Sequence, residues 1–432
     1  MLEPATIRER EVIEKLSAEH GEPQWLLEQR LHSWRLYEDM ALPTGREEEW
    51  RRTDVSFLSL YREVSTPSKA VGDECVEQGG SIAFHPERFP SDLPADLKQQ
   101  GVVFTDLHAA AREHSDLLQP HFMTEAVQPI TWKFTALHAA LWRGGSFLYV
   151  PAGVEVALPL RVSLRPDIDG CAIFPHTLIV AEPDSKVMLF EEHGSSATGR
   201  SSLSHAVVEI LAREGSHVRY IGLQNWGPQV NSFLTLRALL AKDATLELGI
   251  VGLGARVARS TLSAVLTAPG ARAEMTGLSF GSGRQHFDFE TVQDHLAPDT
   301  TSSLLMKTAV TDTADMAWRG RTHIHKGAGM SDATQESRSL ILSEQAKVTP
   351  EPILEIEAHD VERCSHGATV SSVDEDELYY MMSRGLPREE ASRAIVEGFF
   401  QQGLSRMLKG DQKLADGIGR LLTKKLLAKA ST

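Results

Sequence analysis

Six turn clusters recur along the middle of the chain at nearly constant spacing: Pro183-Asp184-Ser185, Glu214-Gly215-Ser216, Lys242-Asp243-Ala244, Pro269-Gly270-Ala271, Pro298-Asp299-Thr300 and Ala328-Gly329-Met330. Between their central residues the steps are 31, 28, 27, 29 and 30. The intervening sequence holds short β-branched runs such as Thr177-Leu178-Ile179-Val180, Ala206-Val207-Val208-Glu209-Ile210 and Phe233-Leu234-Thr235-Leu236, which read as strands. A repeat of this length made of strands and turns predicts a β-solenoid, in which each rung buries its face on its neighbours. A β-sandwich with coincidental turn spacing is the rival, and six regular anchors favour the solenoid. A solenoid also accommodates 432 residues, more than one compact core usually holds.

Both flanks read as helix. From Thr6 to Met40 the apolar residues Ile7, Val12, Ile13 and Leu16, then Trp25, Leu26, Leu31, Trp34 and Tyr37, fall near helical spacing, with Pro23 between two helices,. Residues 62–100 hold Pro67, Gly72, Gly79, Gly80, Pro86, Pro90 and Pro94 and read as a connecting stretch. Strand patterning runs from about Thr131 to Ile356. Beyond Val370 helix returns: Ser372 and Glu375 are spaced as a capping box, and Asp374, Glu375 and Asp376 put negative charge where a helix dipole favours it,. Gly385 should stop that helix and Pro387 should start a second one, with Ala391, Ala394, Ile395, Gly398 and Phe399 along one face,. A basic third helix is expected through Leu414, Ile418, Leu421, Leu422 and Leu426. The expected regions are 1–130, helical with a Pro/Gly-rich linker; 131–360, the β-helix; and 361–432, helical.

Composition narrows the function classes. The apolar fraction of 41% and charged fraction of 24% are ordinary for a globular chain,, and no run approaches the roughly 18 apolar residues of a membrane span. Met1 to Arg10 carries charges of both signs and no apolar leader, so a cytoplasmic location is expected,. A net charge of −15 disfavours binding a polyanion across the surface,, and the Lys424, Lys425 and Lys429 tail reads as a solvated helix face. Cys75, Cys171 and Cys364 are odd in number and far apart, giving neither a disulfide framework nor a CxxC knuckle,.

Three motifs invite chemistry. Gly277-Leu278-Ser279-Phe280-Gly281 matches a GxSxG nucleophile elbow, but Gln285 to Val292 continues as strand where the elbow needs a helix,. A P-loop is absent, so ATP hydrolysis by this chain alone is not expected,. His323-Ile324-His325 puts two imidazoles on one strand face,; the next carboxylates, Asp332 and Glu336, are too far along, so the pair reads as two outward polar residues and dispensable. Cys364-Ser365-His366 likewise aims a thiol and an imidazole the same way, donors suited to iron, yet two ligands do not complete a site.

The residues around that motif carry a resemblance. Pro352-Ile353-Leu354-Glu355-Ile356, Asp360-Val361, Cys364 through Val370, Leu378-Tyr379-Tyr380, Ser383-Arg384-Gly385 and Glu390-Ala391 together resemble the C-terminal signature of the SufB/SufD family of iron-sulfur cluster assembly scaffolds. Leu42-Pro43 and Glu48 through Asp54 are similar to the amino-terminal motif on the SufD side of that family, and no cysteine stands near Ser337-Arg338-Ser339-Leu340, where SufB carries one. Ser371 departs from the glycine often found after the signature's valine.

The resemblance implies a mainly β protein with a right-handed parallel β-helix core flanked by N-terminal and C-terminal α-helical regions. It implies a non-catalytic subunit that pairs with a SufB-like partner and docks a SufC-like ABC-type ATPase through its C-terminal helices. His366 and Cys364 become the expected ligands toward an iron-sulfur cluster shared with the partner, His366 ahead of Cys364. The apolar face through Ala391, Ile395 and Phe399 should stay partly exposed unless another surface covers it, and removal of residues 374–432 should leave the body folded. The alternatives are a SufB-like primary scaffold, a homodimer, and a β-helical polysaccharide-acting enzyme.

Overall fold

The computed structural model describes residues 8–55, 80–83, 93–166, 170–195 and 199–427. Most of the Pro/Gly-rich stretch 62–100, with Cys75, lies outside them, as does Lys429. Two parallel sheets face each other. One runs β1 (Gly80–Ala83), β4 (Leu160–Leu164), β7 (Lys186–Gly194), β9 (His217–Asn225), β11 (Thr245–Gly252), β13 (Arg272–Gly281), β15 (Thr301–Val310), β17 (Asp332–Ile341) and β19 (Arg363–Ser372). The other runs β2 (Val103–Asp106), β3 (Gly145–Val150), β6 (His176–Ala181), β8 (Ser202–Ala212), β10 (Val230–Leu240), β12 (Val257–Leu266), β14 (His286–His295), β16 (Asp315–Ile324) and β18 (Lys347–Ile356), with the short β5 (Ala172–Ile173) on β8. Because the chain alternates between the sheets, each rung is two strands and the product is a parallel β-helix.

The sequence repeat is the corner of this solenoid. Asp184, Gly215, Asp243, Gly270, Asp299 and Met330 all have φ between +55° and +78°, a region that Gly and Asp enter most readily. Their amides form a ladder: Asp184 donates to Glu214 O, Gly215 to Lys242 O, Asp243 to Pro269 O, Gly270 to Asp299 O, Asp299 to Gly329 O and Met330 to Asp360 O, at 2.7–3.1 Å. A Cβ on Gly270 would lie 2.0 Å from Asp243 Oδ1, whereas one on Gly283, also at positive φ, meets nothing within 4 Å. We therefore expect Gly270→Ala to cost about 1–3 kcal/mol and Gly283→Ala clearly less by urea denaturation; equal losses would show that the ladder contact is irrelevant.

Inside the solenoid, register stacks like positions into columns. Val187, Val218, Leu246, Ala273, Ser302, Ala333 and Cys364 form one, and Leu189, Tyr220, Leu248, Met275, Leu304, Gln335 and His366 the next. The apolar members are core, each buried Val or Leu contributing about 1.5–3 kcal/mol.

The N-terminal end is closed. β2 pairs antiparallel with β3, and helices α1 (Arg8–His20), α2 (Gln24–Asp39), α4 (Leu107–Glu113), α5 (Ser115–Leu118) and α6 (Lys133–Leu141) pack beside it, with the short α3 (Ala95–Gln99) before β2. Helix α6 lies where strands were expected. It buries Phe134, Ala136, His138, Ala139, Ala140 and Leu141, and a helix apolar nearly all round shows no amphipathic period. The strands of the two facing sheets beyond the N-terminal cap run 145–372, so β19 falls inside the segment assigned to the C-terminal helices.

A seam of polar groups is buried between these helices and the solenoid. Arg30 donates to both carboxylate oxygens of Glu22 at 2.7 and 2.8 Å, and His108 stacks on His20 at 3.8 Å. His138 Nδ1 lies 3.0 Å from His205 O and its Nε2 lies 3.1 Å from His176 Nδ1. Glu209 accepts from the amides of Met123 and Val127.

The Glu48-to-Asp54 motif crosses the outer face of the second sheet. Arg259 of β12 stacks over Trp50 at 4.2 Å, Thr53 donates to Asp288 of β14, Arg319 of β16 donates to Glu48 O, and Arg51 and Arg52 pair with Glu351 of β18.

The C-terminal helices are α7 (Glu375–Ser383), α8 (Arg388–Leu408) and α9 (Gln412–Leu427). Asp374, not Ser372, caps α7 by accepting from the amides of Asp376 and Glu377, because Ser372 is still in β19; Pro387 is the residue before α8 rather than its first. The face of α8 that is fully buried runs through Ala391, Val396, Phe400, Leu404, Met407 and Leu408, one position on from the expected Ile395 and Phe399. It is covered by this chain's own body: Ile221, Leu223, Val251, Leu278 and Phe280 lie beneath it. Gly403 permits the approach, since a Cβ there would lie 2.5 Å from Leu278 Cδ2. Arg406 and Lys409 pair with Glu274 at 3.0 Å. Lys425 is not solvated but donates to Leu253 O, Phe280 O and Gln285 Oε1.

Candidate functional site

The last rung is an open mouth. β18 and β19 are the final strands of their sheets, so their inward side chains have no further rung above them among the described residues. By register, Val348, Pro350, Pro352, Leu354 and Ile356 line one wall, and Cys364, His366, Ala368 and Val370 the other. The Ile356 position, buried in each earlier turn of its column, is here 47% exposed, and Val370 across the mouth is 41% exposed. The column above Leu304 also changes chemistry, to Gln335 and then His366.

Cys364 and His366 therefore share one face of β19. Cys364 is half-buried against Ile324, Ala328, Ala333, Ala358 and Val361, while His366 is exposed. Burial pushes the Cys364 thiol above its ordinary value, so the thiolate that binds metal is scarce near neutral pH. His366 is the readier donor. One thiol and one imidazole at an open rim are two metal-binding side chains on one strand face. Ser371, placed within β19, is not among the left-handed residues, so its departure from glycine leaves the backbone undisturbed.

Beside the mouth, on the outer face, the structure brings together a group that linear spacing missed. Among the described residues Asp294, His323 and His325 are the one set of three His, Cys, Asp or Glu side chains whose ligand atoms converge, all within 4.8 Å. The expectation that the two histidines lack a third ligand is thus corrected: Asp294 is directly across from His323 on the neighbouring strand, 29 residues earlier. One turn of the repeat, added to the HIH motif, was the signal that would have found it.

Ser279 of the GxSxG match is fully buried inside β13 and lies 2.8 Å from Thr308 Oγ1, with no turn to present it. Among the described residues no helix is long and apolar enough to cross a membrane.

The chain belongs to the SufB/SufD family: residues 165–399 match the SufBD core domain of SUF-system iron-sulfur cluster assembly, and residues 86–162 match the SufBD N-terminal region. Iron-sulfur cluster assembly protein SufD of Bacillus subtilis is 33% identical over 406 residues, covering 90% of this chain and 92% of the relative. SufB of the same organism is 30% identical over 410 residues, covering 91% and 88%. A SufBD family protein of Staphylococcus saprophyticus is 29% identical, covering 90% and 87%.

Proposed function

We propose that this chain is a non-catalytic scaffold subunit of the SUF iron-sulfur cluster assembly complex. It pairs with a SufB-like subunit across the open mouth and docks a SufC-like ATPase on its C-terminal helices. The observation that carries this reading is the uncovered last rung, where an apolar wall, a thiol and an imidazole meet at a strand edge that a second sheet can extend. A cluster is cargo here, held transiently between His366, Cys364 and ligands of the partner. The exposed apolar residues of the C-terminal helices are concentrated on α7 and just after it, at Tyr379, Tyr380, Met382 and Leu386, and supply the ATPase surface that α8, occupied by the body, does not.

The test is co-expression with SufB-like and SufC-like partners, followed by iron and sulfide analysis of the purified complex. His366→Ala should leave the complex assembled, since an exposed imidazole contributes little to folding, and lower its cluster content. Cys364→Ser should give a milder loss. Wild-type loading rates in both variants would make the pair structural and sink the ligand assignment.

A further inference from the structure

Asp294, His323 and Glu355 stand side by side at one register on β14, β16 and β18, and His325 follows two residues after His323 on the same side. The His323 and His325 rings are 3.6 Å apart, centroid to centroid. His325 Nε2 lies 2.8 Å and His323 Nδ1 3.7 Å from Asp294 Oδ1. Glu357 Oε1 is 3.2 Å from His323 Nε2, and Glu355 Oε2 is 3.7 Å from His323 Nδ1. Three carboxylates thus surround two imidazoles. Facing them are two guanidiniums: Arg321, 3.8 Å from Glu355, and Arg237, within electrostatic reach of Asp294. The balance is negative, and it is focused on nitrogen donors.

We propose that Asp294, His323 and His325 bind a divalent first-row transition-metal cation, of the zinc(II) or iron(II) class, on the outer face of the penultimate rung. Bonds of 2.0–2.2 Å to imidazole and carboxylate place tetrahedral donors roughly 3.3 Å apart, and the observed separations of 2.8 and 3.7 Å bracket that value. Two imidazoles select against magnesium and calcium, which prefer all-oxygen shells. Glu355, whose Oε2 approaches the same Nδ1 of His323, supplies a fourth donor, and the half-buried setting of the first three keeps them arranged. This site is separate from the mouth: its ligands point outward from the second sheet, whereas Cys364 and His366 line the inside of the first.

The test uses the full chain, stripped with chelator and titrated with cobalt(II) by absorption spectroscopy, then with zinc(II), and anaerobically with iron(II), by calorimetry. One equivalent is expected, with a cobalt spectrum indicating nitrogen ligation and unaffected by excess magnesium. Asp294→Asn and the double variant His323→Asn/His325→Asn should bind at least about 100-fold more weakly, the upper end of what losing outer-shell partners alone costs. The Cys364→Ser/His366→Ala variant should keep the equivalent, which separates this site from the mouth. Unchanged affinity in the histidine double variant, or displacement of cobalt by magnesium, would overturn the proposal. So would the absence of binding in the wild-type chain, leaving surface ion pairs only. Circular dichroism identifies any variant that fails to fold, and Asp294→Asn, with both rings retained, then carries the test.

Discussion

Deleting residues 374–432 should unfold or aggregate the solenoid rather than merely remove a docking appendage. The deletion strips α8 and α9 from Ile221, Leu223, Val251, Leu253, Leu278 and Phe280, each of which contributes about 1.5–3 kcal/mol by burial. Six such side chains represent about 9–18 kcal/mol gross, on the scale of a whole domain's net stability of about 5–15 kcal/mol. Phe400→Ala, which leaves the chain intact, should already cost about 3–5 kcal/mol. A truncated chain with wild-type melting temperature would refute the seam's importance. Tyr379→Glu/Tyr380→Glu is the cleaner probe of ATPase docking. Those side chains are 74% and 59% exposed, so the variant should melt normally yet lose ATPase binding in calorimetry.

The second large effect is acid lability centred on the N-terminal seam. Burial holds His108 down to about 4 and His205 down to about 3, and it drives His138 well below its ordinary 6.5. Each is neutral in the fold and charges in the unfolded chain, so stability is full above pH 6.5 and falls as pH drops toward 4. At pH 5 His108 and His205 each cost about 2 kcal/mol, about 4 kcal/mol together, and His138 adds to the loss,. His295, pushed down to about 4 by burial in the body, acts in the same direction. Asp106 opposes: burial raises it to about 6, so it regains about 1–1.5 kcal/mol between pH 6 and 5. Glu22 acts later. Burial lifts its carboxyl, but hydrogen bonds and charge from His108 and Arg30 outweigh that and hold it near 2, so its contribution persists above about 4.5 and fades only below. The expected result is a midpoint in urea that drops steeply from pH 6.5 to 5. A flat profile would mean that these imidazoles are charged in the folded protein.

Much of this architecture is written locally because a left-handed corner is most readily spelled with Asp or Gly. Five of the six turn centres are the left-handed residues themselves. At the sixth corner the left-handed residue is Met330, next to the turn centre Gly329, where a Cβ would lie 2.4 Å from Asp360 Oδ1. Where the sequence was ambiguous, tertiary packing decided. The doublets Ile395-Val396 and Phe399-Phe400 offer two apolar ridges on one helix, and the sheet beneath selects the second of each. Helix α6 is hidden by uniform burial. At the candidate site, the Cys364–His366 alternation is visible along the strand, but the openness of the rung that carries it is not. Asp294 is invisible to any reading of local spacing, since its neighbour His323 comes from the next turn.

A solenoid interacts along one dimension, and turns that touch only their neighbours can unzip from an open end one at a time. Two segments of this chain bypass that limit. Residues 48–53 engage β12, β14, β16 and β18 on one sheet, and α8 with its following Lys409 engages β11, β13 and β15 on the other through Lys409–Glu247, Arg406–Glu274 and Lys307–Phe399. Each acts as a splint across turns that would otherwise fray independently. A displacement of α8 is therefore shared among the turns that carry β11, β13 and β15 instead of falling on one of them.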